Sequence, residues 1–141
     1  MGATGKPGAS LRVWRDYFPL AQIYGADIDR DILFEEDRIK SFYVDQTNPR
    51  SIQEFWKLVA DSDFDLMVDD GLHTFDAGIC LFENSIQKLT KHGIYIIEDA
   101  YIGNLVKYRE YFSDLNYRVD FIQLHRPAHE LANSSLFVVR L

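Results

Sequence analysis

The stretch DFDLMVDDGLH, residues 63–73, and the later stretch GIYIIEDAY, residues 93–101, decide the fold that this sequence predicts. Each contains an apolar run of strand length, Phe64–Val68 in the first and Ile94–Ile97 in the second, and each run ends in acidic residues. A helical pattern lies between them. Alternating strands and amphipathic helices are typical of a mainly parallel sheet with helices on both faces. We therefore expect an α/β fold.

Two earlier segments repeat the same pattern of a strand that ends in polar residues. Ala21–Ile28 ends at Asp27 and Asp29, and Ile39–Val44 is followed by Asp45 and Gln46. In open α/β sheets the ligand crevice lies at the carboxyl ends of the strands. We therefore expect side chains from all four strands at one edge of the sheet, namely Asp27, Asp45, Asp70 and Glu98. The alternative is that Asp and Gly merely form the turns that follow strands.

Helices are expected between these strands, followed by a closing pair of antiparallel strands. Five helices are predicted. The first begins at Ser10, the second covers Ile32–Glu36, and the third begins at the Ser51–Glu54 capping box. The fourth runs from Phe75 to Leu89, before Gly93, and the fifth from Leu105 to Leu115. The closing strands are Arg118–Leu124 and Ser135–Leu141. No linker or repeat interrupts the chain, so we expect one domain over residues 1–141.

Composition narrows the class of protein. The chain has 141 residues, of which 47% are apolar, and a net charge of −7, which argues against binding to nucleic acid or to an anionic membrane surface. No apolar stretch approaches the roughly 20 residues of a membrane-spanning helix. The single cysteine, Cys80, argues against a disulfide framework and fits a reducing compartment. We expect a cytoplasmic protein.

The motifs together resemble a class I S-adenosylmethionine-dependent methyltransferase. GKPGASLRVWRDYFP (5–19), IYGADID (23–29), DFDLMVDDGLH and GIYIIEDAY are similar to the branch of macrocin-type sugar O-methyltransferases and cephalosporin-hydroxylase-like proteins. The resemblance implies a Rossmann-like methyltransferase sheet, mainly parallel with a C-terminal antiparallel strand. It also implies methyl transfer to a hydroxyl of a sugar-like small molecule, with a divalent cation, Mg²⁺ by preference.

The resemblance implies a role for each of a small set of residues. The cofactor S-adenosylmethionine would be bound by the glycine loop with Gly5 and Gly8, by Asp27 at the ribose, and by Asp45 and Gln46 at the adenine. The cation would be held by Asp70, Glu98 and Asp99. His73 would be the general base that takes the proton of the substrate hydroxyl.

The first strand of this family, an apolar run that ends in Glu or Asp before the glycine loop, has no counterpart in the sequence, which begins at Met1. We therefore expect an N-terminally truncated domain, with two strand edges left unpaired and weak cofactor binding. A homo-oligomer stays open as the assembly state. Two other functions also stay open: a catalytically inactive fragment that acts as a binding or assembly module, and an α/β nucleotide-binding protein unrelated to methylation.

Overall fold

A computed structural model describes residues 5–59, 63–123 and 135–141 of the chain. These residues form two compact units, one up to Asp45 and one from Gln46 onward. The helices are α1 (Ala9–Tyr17), α2 (Pro49–Leu58), α3 (Phe75–Glu83) and α4 (Leu105–Ser113). The strands are β1 (Ile23–Asp27), β2 (Glu35–Glu36), β3 (Ile39–Tyr43), β4 (Phe64–Asp69), β5 (Leu89–Ile97), β6 (Arg118–Gln123) and β7 (Ser135–Arg140).

The first unit contains a three-stranded sheet with the order β1-β3-β2. Strands β1 and β3 are parallel, in a register that pairs Ile23 with Ile39 and Asp27 with Tyr43, whereas β2 is antiparallel to β3. Helix α1 packs on β1, where a Cβ on the buried Gly25 would collide with the side chain of Leu11. The parallel register brings the carboxyl ends of β1 and β3 to the same edge of this sheet.

The second unit contains a four-stranded sheet with the order β4-β5-β7-β6. Strands β4 and β5 are parallel, and the closing strands β6 and β7 are antiparallel to each other, as the sequence predicted. Leu124, the last residue of the predicted strand, lies outside the described residues. In the described part of the chain, β1 pairs with β3 alone and β4 with β5 alone, so each has one edge without a strand partner.

An aromatic core holds α3 and α4 against the second sheet. Phe82 of α3 is 1% exposed, and its ring makes edge-to-face contacts with Tyr95, Phe112 and Tyr117 at centroid distances of 5.2, 5.2 and 5.6 Å. Tyr108 of α4 is equally buried and lies 4.7 Å from Phe137 of β7. Burial of one such side chain stabilises the fold by about 1.5–3 kcal/mol. The helices are therefore fixed to the strands that carry the site described below.

The long helix predicted from Phe75 to Leu89 is wrong beyond Glu83. Asn84 turns its side-chain amide back to the Cys80 carbonyl at 2.9 Å, and the buried Ser85 accepts a hydrogen bond from the Trp56 indole at 3.1 Å. A 3-10 turn follows, and Leu89 already belongs to β5. Gly93 lies inside that strand rather than past a helix end, and a Cβ there would crowd the Leu89 side chain and the Phe64 carbonyl.

The short helix predicted over Ile32–Glu36 is also wrong. A 3-10 turn occupies Arg30–Ile32, capped by the Asp29 carboxylate, and Glu35–Glu36 form β2. Arg38 adopts a left-handed backbone conformation, with φ of 57°, and this allows the tight reversal from β2 into β3. The amino-acid pattern of this segment does not show that the chain reverses here, because the turn depends on the backbone conformation of a single residue, Arg38.

Two helix starts differ from those predicted. Helix α2 begins at Pro49, and its N-cap is Asn48, whose side chain accepts a hydrogen bond from the Arg50 N–H at 3.0 Å, rather than Ser51. Helix α1 is preceded by Gly8 in the left-handed conformation, without a side-chain cap from Ser10. In α2, proline is favoured in the first helical position because its nitrogen needs no acceptor there, so α2 extends back to Pro49.

Among the described helices, none has the length and apolarity that a membrane span requires.

Candidate functional site

The carboxyl ends of β4 and β5 carry the residues that the sequence placed at a cation site. The parallel register pairs Asp69 with Ile97, and the Glu98 N–H donates to the Asp69 carbonyl at 2.9 Å. The loop Asp70–His73 and the residues Glu98 and Asp99 therefore leave the sheet at one edge. Their proximity follows from strand pairing, since neighbouring strands lie about 4.8 Å apart.

Three of these side chains meet. One carboxylate oxygen each from Asp70 and Asp99 and one imidazole nitrogen of His73 lie within 4.8 Å of one another. The closest approach within the loop is 3.8 Å, between His73 Nε2 and an Asp70 carboxylate oxygen. The Asp70 side chain is 60% exposed and that of His73 is 32% exposed, so the cluster is open to solvent and to a ligand.

The Glu98 carboxylate is not a member of this group of three, although the family resemblance implied that Glu98 is a cation ligand. Its main-chain carbonyl oxygen lies 3.4 Å from His73 Nδ1. The pKa of Glu98 is raised, mainly by its partial burial and to a lesser extent by repulsion from the carboxylates of Asp70 and Asp99. Its charge is therefore coupled to the cluster, and its carboxylate lies close by.

Two unusual backbone conformations aim the side chains of the cluster. His73 has a φ of 56° and Asp99 a φ of 46°, both in the left-handed region that non-glycine residues rarely adopt. At such a position the chain turns sharply, and the side chain points in a direction that an extended strand end would not give. The resemblance implied Asp70, Glu98 and Asp99 as cation ligands and His73 as the general base; in the structure His73 lies with Asp70 and Asp99 in one group.

The loop beneath the cluster is held by residues whose roles the sequence did not reveal. Asp69 is 5% exposed, and one of its carboxylate oxygens accepts hydrogen bonds from the Gly71 N–H at 3.2 Å and from the Gln46 side-chain amide at 3.1 Å. Burial raises the pKa of Asp69, and the two hydrogen bonds oppose that shift. The Gln46 side-chain oxygen accepts from the Leu72 N–H at 2.6 Å.

The donor set of the cluster fits a hard divalent cation. Two carboxylates suit Mg²⁺, which prefers oxygen ligands and retains several water molecules, whereas an imidazole is a weak ligand for it. Glu98 can add a third carboxylate from the same edge. Burial and then repulsion from Asp70 and Asp99 raise the pKa of Glu98, and a bound cation would relieve the repulsion.

The residues expected to bind the cofactor lie in the first unit, except for Gln46. Asp27 ends β1, and one of its carboxylate oxygens accepts from the Asp29 N–H at 2.9 Å. Asp45 follows β3 at the same edge of that sheet, since the Val44 N–H donates to the Asp27 carbonyl at 2.9 Å. Gly5 is exposed, and Gly8, with φ of 73°, faces the Phe34 ring, which occupies the space of a Cβ.

Several curated proteins resemble the chain in sequence. It is 33% identical over 94 residues to the demethylmacrocin O-methyltransferase of Streptomyces fradiae, a match that covers 67% of this chain and 23% of that protein. It is 30% identical over 92 residues to the 8-demethyl-8-alpha-L-rhamnosyl tetracenomycin-C 2'-O-methyltransferase of Streptomyces olivaceus, which covers 65% and 24%. The chain spans about a quarter of the length of these curated relatives. No family model matches the chain.

Solved structures show the same fold. The MycE methyltransferase from the mycinamycin biosynthetic pathway, in complex with Mg and SAH, matches with a TM-score of 0.68 at 22% identity, covering 94% of this chain and 40% of that one. Human methyltransferase-like protein 13, in complex with SAH, matches with a TM-score of 0.66 at 16% identity, covering 97% and 69%. The α/β fold expected from the alternating strands and helices is thereby confirmed. The chain has the class I methyltransferase fold and is homologous, over about two thirds of its length, to sugar O-methyltransferases of the macrocin type.

Proposed function

We propose that the chain takes part in S-adenosylmethionine-dependent methylation of a hydroxyl on a sugar-bearing small molecule. One observation carries this proposal, namely that Asp70, His73 and Asp99 meet at the carboxyl edge of β4 and β5. This edge is where open α/β sheets bind their ligands. The homologous enzymes methylate sugar hydroxyls, and MycE was solved with Mg and SAH.

Asp70 and Asp99 would hold the cation, with Glu98 as a further ligand from the same edge. When bound, Mg²⁺ supplies positive charge that polarises a hydroxyl and lowers its pKa. The open face of the cluster leaves positions for water and for substrate oxygens, because the Asp70 side chain is 60% exposed. These carboxylates would orient the hydroxyl of the substrate through the cation, without covalent chemistry of their own.

His73 is suited to take the proton of that hydroxyl. Its Nδ1 lies 3.4 Å from the Glu98 carbonyl oxygen, which can only accept, so this contact favours a proton on Nδ1. The other ring nitrogen, Nε2, then has a free lone pair on the side that faces Asp70. The proton would go to Nε2 while the hydroxyl oxygen forms its bond to the transferred methyl carbon and the bond from that carbon to sulfur breaks.

The cofactor would be bound by residues of the first unit. Asp27 already accepts one hydrogen bond from the Asp29 N–H, which orients its carboxylate and leaves acceptor capacity for the vicinal hydroxyls of a ribose. Asp45 would contact the adenine amino group, as would Gln46 with the hydrogen-bonding capacity that remains to it. Gly5 and Gly8 would allow close approach of the backbone to the methionine part of the cofactor.

The proposal is tested by transfer of a labelled methyl group. The chain is incubated with S-adenosylmethionine labelled in its methyl group, Mg²⁺ and a panel of rhamnosylated or otherwise glycosylated polyketides. Labelled product is expected with the parent chain, and its loss is expected for His73→Ala and on chelation of the cation. A matched control is His92→Ala, an exposed histidine on β5 outside the cluster.

Binding experiments separate this function from the alternatives. Calorimetry with S-adenosylhomocysteine should detect binding, however weak, and Asp27→Asn should remove it. If the parent chain binds neither this compound nor Mg²⁺, methylation is refuted and an inactive binding module is favoured. If the chain binds ATP or NAD in preference to S-adenosylhomocysteine, a nucleotide-binding function unrelated to methylation is favoured.

A further inference from the structure

The side chain of Gln46 joins the two ends of the loop that carries Asp70 and His73. Its Nε2 donates to Asp69 Oδ1 at 3.1 Å, and its Oε1 accepts from the Leu72 N–H at 2.6 Å. The residue is distant from this loop in the sequence, so it acts as a tertiary brace rather than as part of the turn.

The orientation of this amide is set by its partners. The Leu72 N–H can only donate and the Asp69 carboxylate can only accept, so Oε1 must face Leu72 and Nε2 must face Asp69. A glutamine is suited to this position because it offers a donor and an acceptor together. A glutamate would keep the bond from Leu72 but would set a second carboxylate against the buried Asp69.

Gly71 is fitted to Gln46. Its φ is not in the left-handed region, so the backbone conformation does not require glycine there. Space does, because a Cβ on Gly71 would overlap the side-chain oxygen and the amide carbon of Gln46 and would lie 3.1 Å from Asp69 Oδ1. An alanine at this position would displace the Gln46 amide from its two partners.

The braced amides, Gly71 and Leu72, lie directly between the two residues that enter the cluster. The Gly71 N–H is bound to Asp69 at 3.2 Å, and the Leu72 N–H is bound to Gln46, so both peptide groups inside the loop are fixed. Asp70 and His73 flank this pair, and His73 holds a left-handed conformation that needs such support. The direction of both side chains therefore depends on the brace.

We propose that Gln46 is a positioning residue for the cation site, which it serves by holding the Asp69–His73 loop in the form that brings Asp70 and His73 to Asp99. The inference rests on the proposed function for the cation itself. The bracing of the loop is a property of the metal-free chain and can be measured without a cation. The two bonds to Gln46 leave part of its capacity free, so this role is compatible with a contact to adenine.

The metal-free part of the test follows the Leu72 amide by hydrogen exchange in ¹⁵N NMR spectra. Exchange is expected to become at least tenfold faster in Gln46→Ala and in Gly71→Ala. Adding Gly71→Ala to Gln46→Ala should have no further effect, because the side chain that it displaces is already gone. Gln53→Ala, an exposed glutamine on α2, is the matched control. Unchanged exchange in Gln46→Ala, or fully additive effects in the double variant, would overturn the inference.

The second part uses Mn²⁺ as the probe, with free ion measured by electron paramagnetic resonance. Loss of a residue that orients metal ligands lowers affinity roughly 10–100-fold, so Gln46→Ala and Gly71→Ala should each bind Mn²⁺ at least tenfold more weakly than the parent chain. Asp70→Asn should bind none. Equal affinity in the parent chain and Gln46→Ala refutes the positioning role and leaves the cation site intact. If the parent chain binds no Mn²⁺ but its Leu72 amide is protected, the proposed function fails while the brace stands.

Discussion

Replacement of Asp70 by asparagine should change the stability of the chain in opposite directions with and without a cation. The substitution removes one charge from the cluster and keeps the shape of the side chain. The ligand atoms of Asp70 and Asp99 lie within 4.8 Å of each other. Two exposed like charges at that distance repel by about 0.9 kcal/mol in water, and salt reduces this further. Without a cation, Asp70→Asn should therefore be more stable than the parent chain by up to about 0.9 kcal/mol.

With Mg²⁺ the order should reverse. An ion that binds the folded state alone stabilises it by about 1.4 kcal/mol at ten times its dissociation constant, which for a chain of this length is a rise of roughly 5 °C in the melting temperature. The parent chain should gain this stabilisation. Asp70→Asn should gain little, because it has lost one of the two charged ligands of the cluster.

The assay is thermal unfolding followed by circular dichroism, in chelator and in millimolar Mg²⁺. The matched control is Asp65→Asn, an exposed aspartate on β4 outside the cluster, which should respond to Mg²⁺ as the parent chain does. The cluster is supported as a cation site if Asp70→Asn has the higher melting temperature in chelator and the parent chain has the higher one in Mg²⁺. Melting temperatures for the parent chain that are the same in chelator and in Mg²⁺, or an Asp70→Asn variant that is less stable in both, would refute the reasoning.

Three further predictions concern the packing and the caps around the site. Asn48→Ala should lower the free energy of unfolding by about 1 kcal/mol, because the Arg50 N–H loses its acceptor. Asn48→Asp keeps an acceptor for that N–H and should therefore keep most of this stability. Equal losses of stability for the two variants in urea titrations would contradict this. Phe82→Leu should cost about 1–2 kcal/mol through lost edge-to-face contacts, and an unchanged urea midpoint would count against that packing. Burial, with repulsion from Asp69 and Asp76, raises the pKa of Tyr108 to about 12. The folded state therefore keeps a proton that the unfolded state loses above about pH 10, and stability should fall as pH rises from 10 towards 12. Melting temperatures of Tyr108→Phe should fall less steeply over that range, and parallel curves would exclude Tyr108 as a cause.

The sequence patterns that depend on near neighbours were predictive. Strands were predicted at Ile39–Val44 and Phe64–Val68, and the structure has them at Ile39–Tyr43 and Phe64–Asp69. The alternation of strand and helix was enough to indicate the α/β class, because a strand that is buried between helices has a nearly continuous run of apolar residues. Element ends were harder to predict, as at Asn84, where a side chain competes with the helix for a backbone carbonyl.

The site shows the same division more sharply. The motif Asp70-x-x-His73 and the pair Glu98-Asp99 were expected at the ends of two neighbouring strands, and they follow β4 and β5, which are parallel and so end at a common edge. Which of the two neighbouring acids enters the cluster was not readable from the motif. That choice depends on the left-handed conformation of Asp99, which a non-glycine residue adopts only when its surroundings impose it.

The sequence by itself determined the fold class, the acidic character and the loops that carry the candidate site residues, because these follow from local periodicity and residue type. Tertiary structure alone decided that His73 joins Asp70 and Asp99, and that Gln46 binds Asp69 and Leu72. A hydrogen bond between residues so far apart in the chain leaves no periodic trace in the sequence. It arises only when folding brings one donor and one acceptor to the same place, and there it governs the geometry of the site.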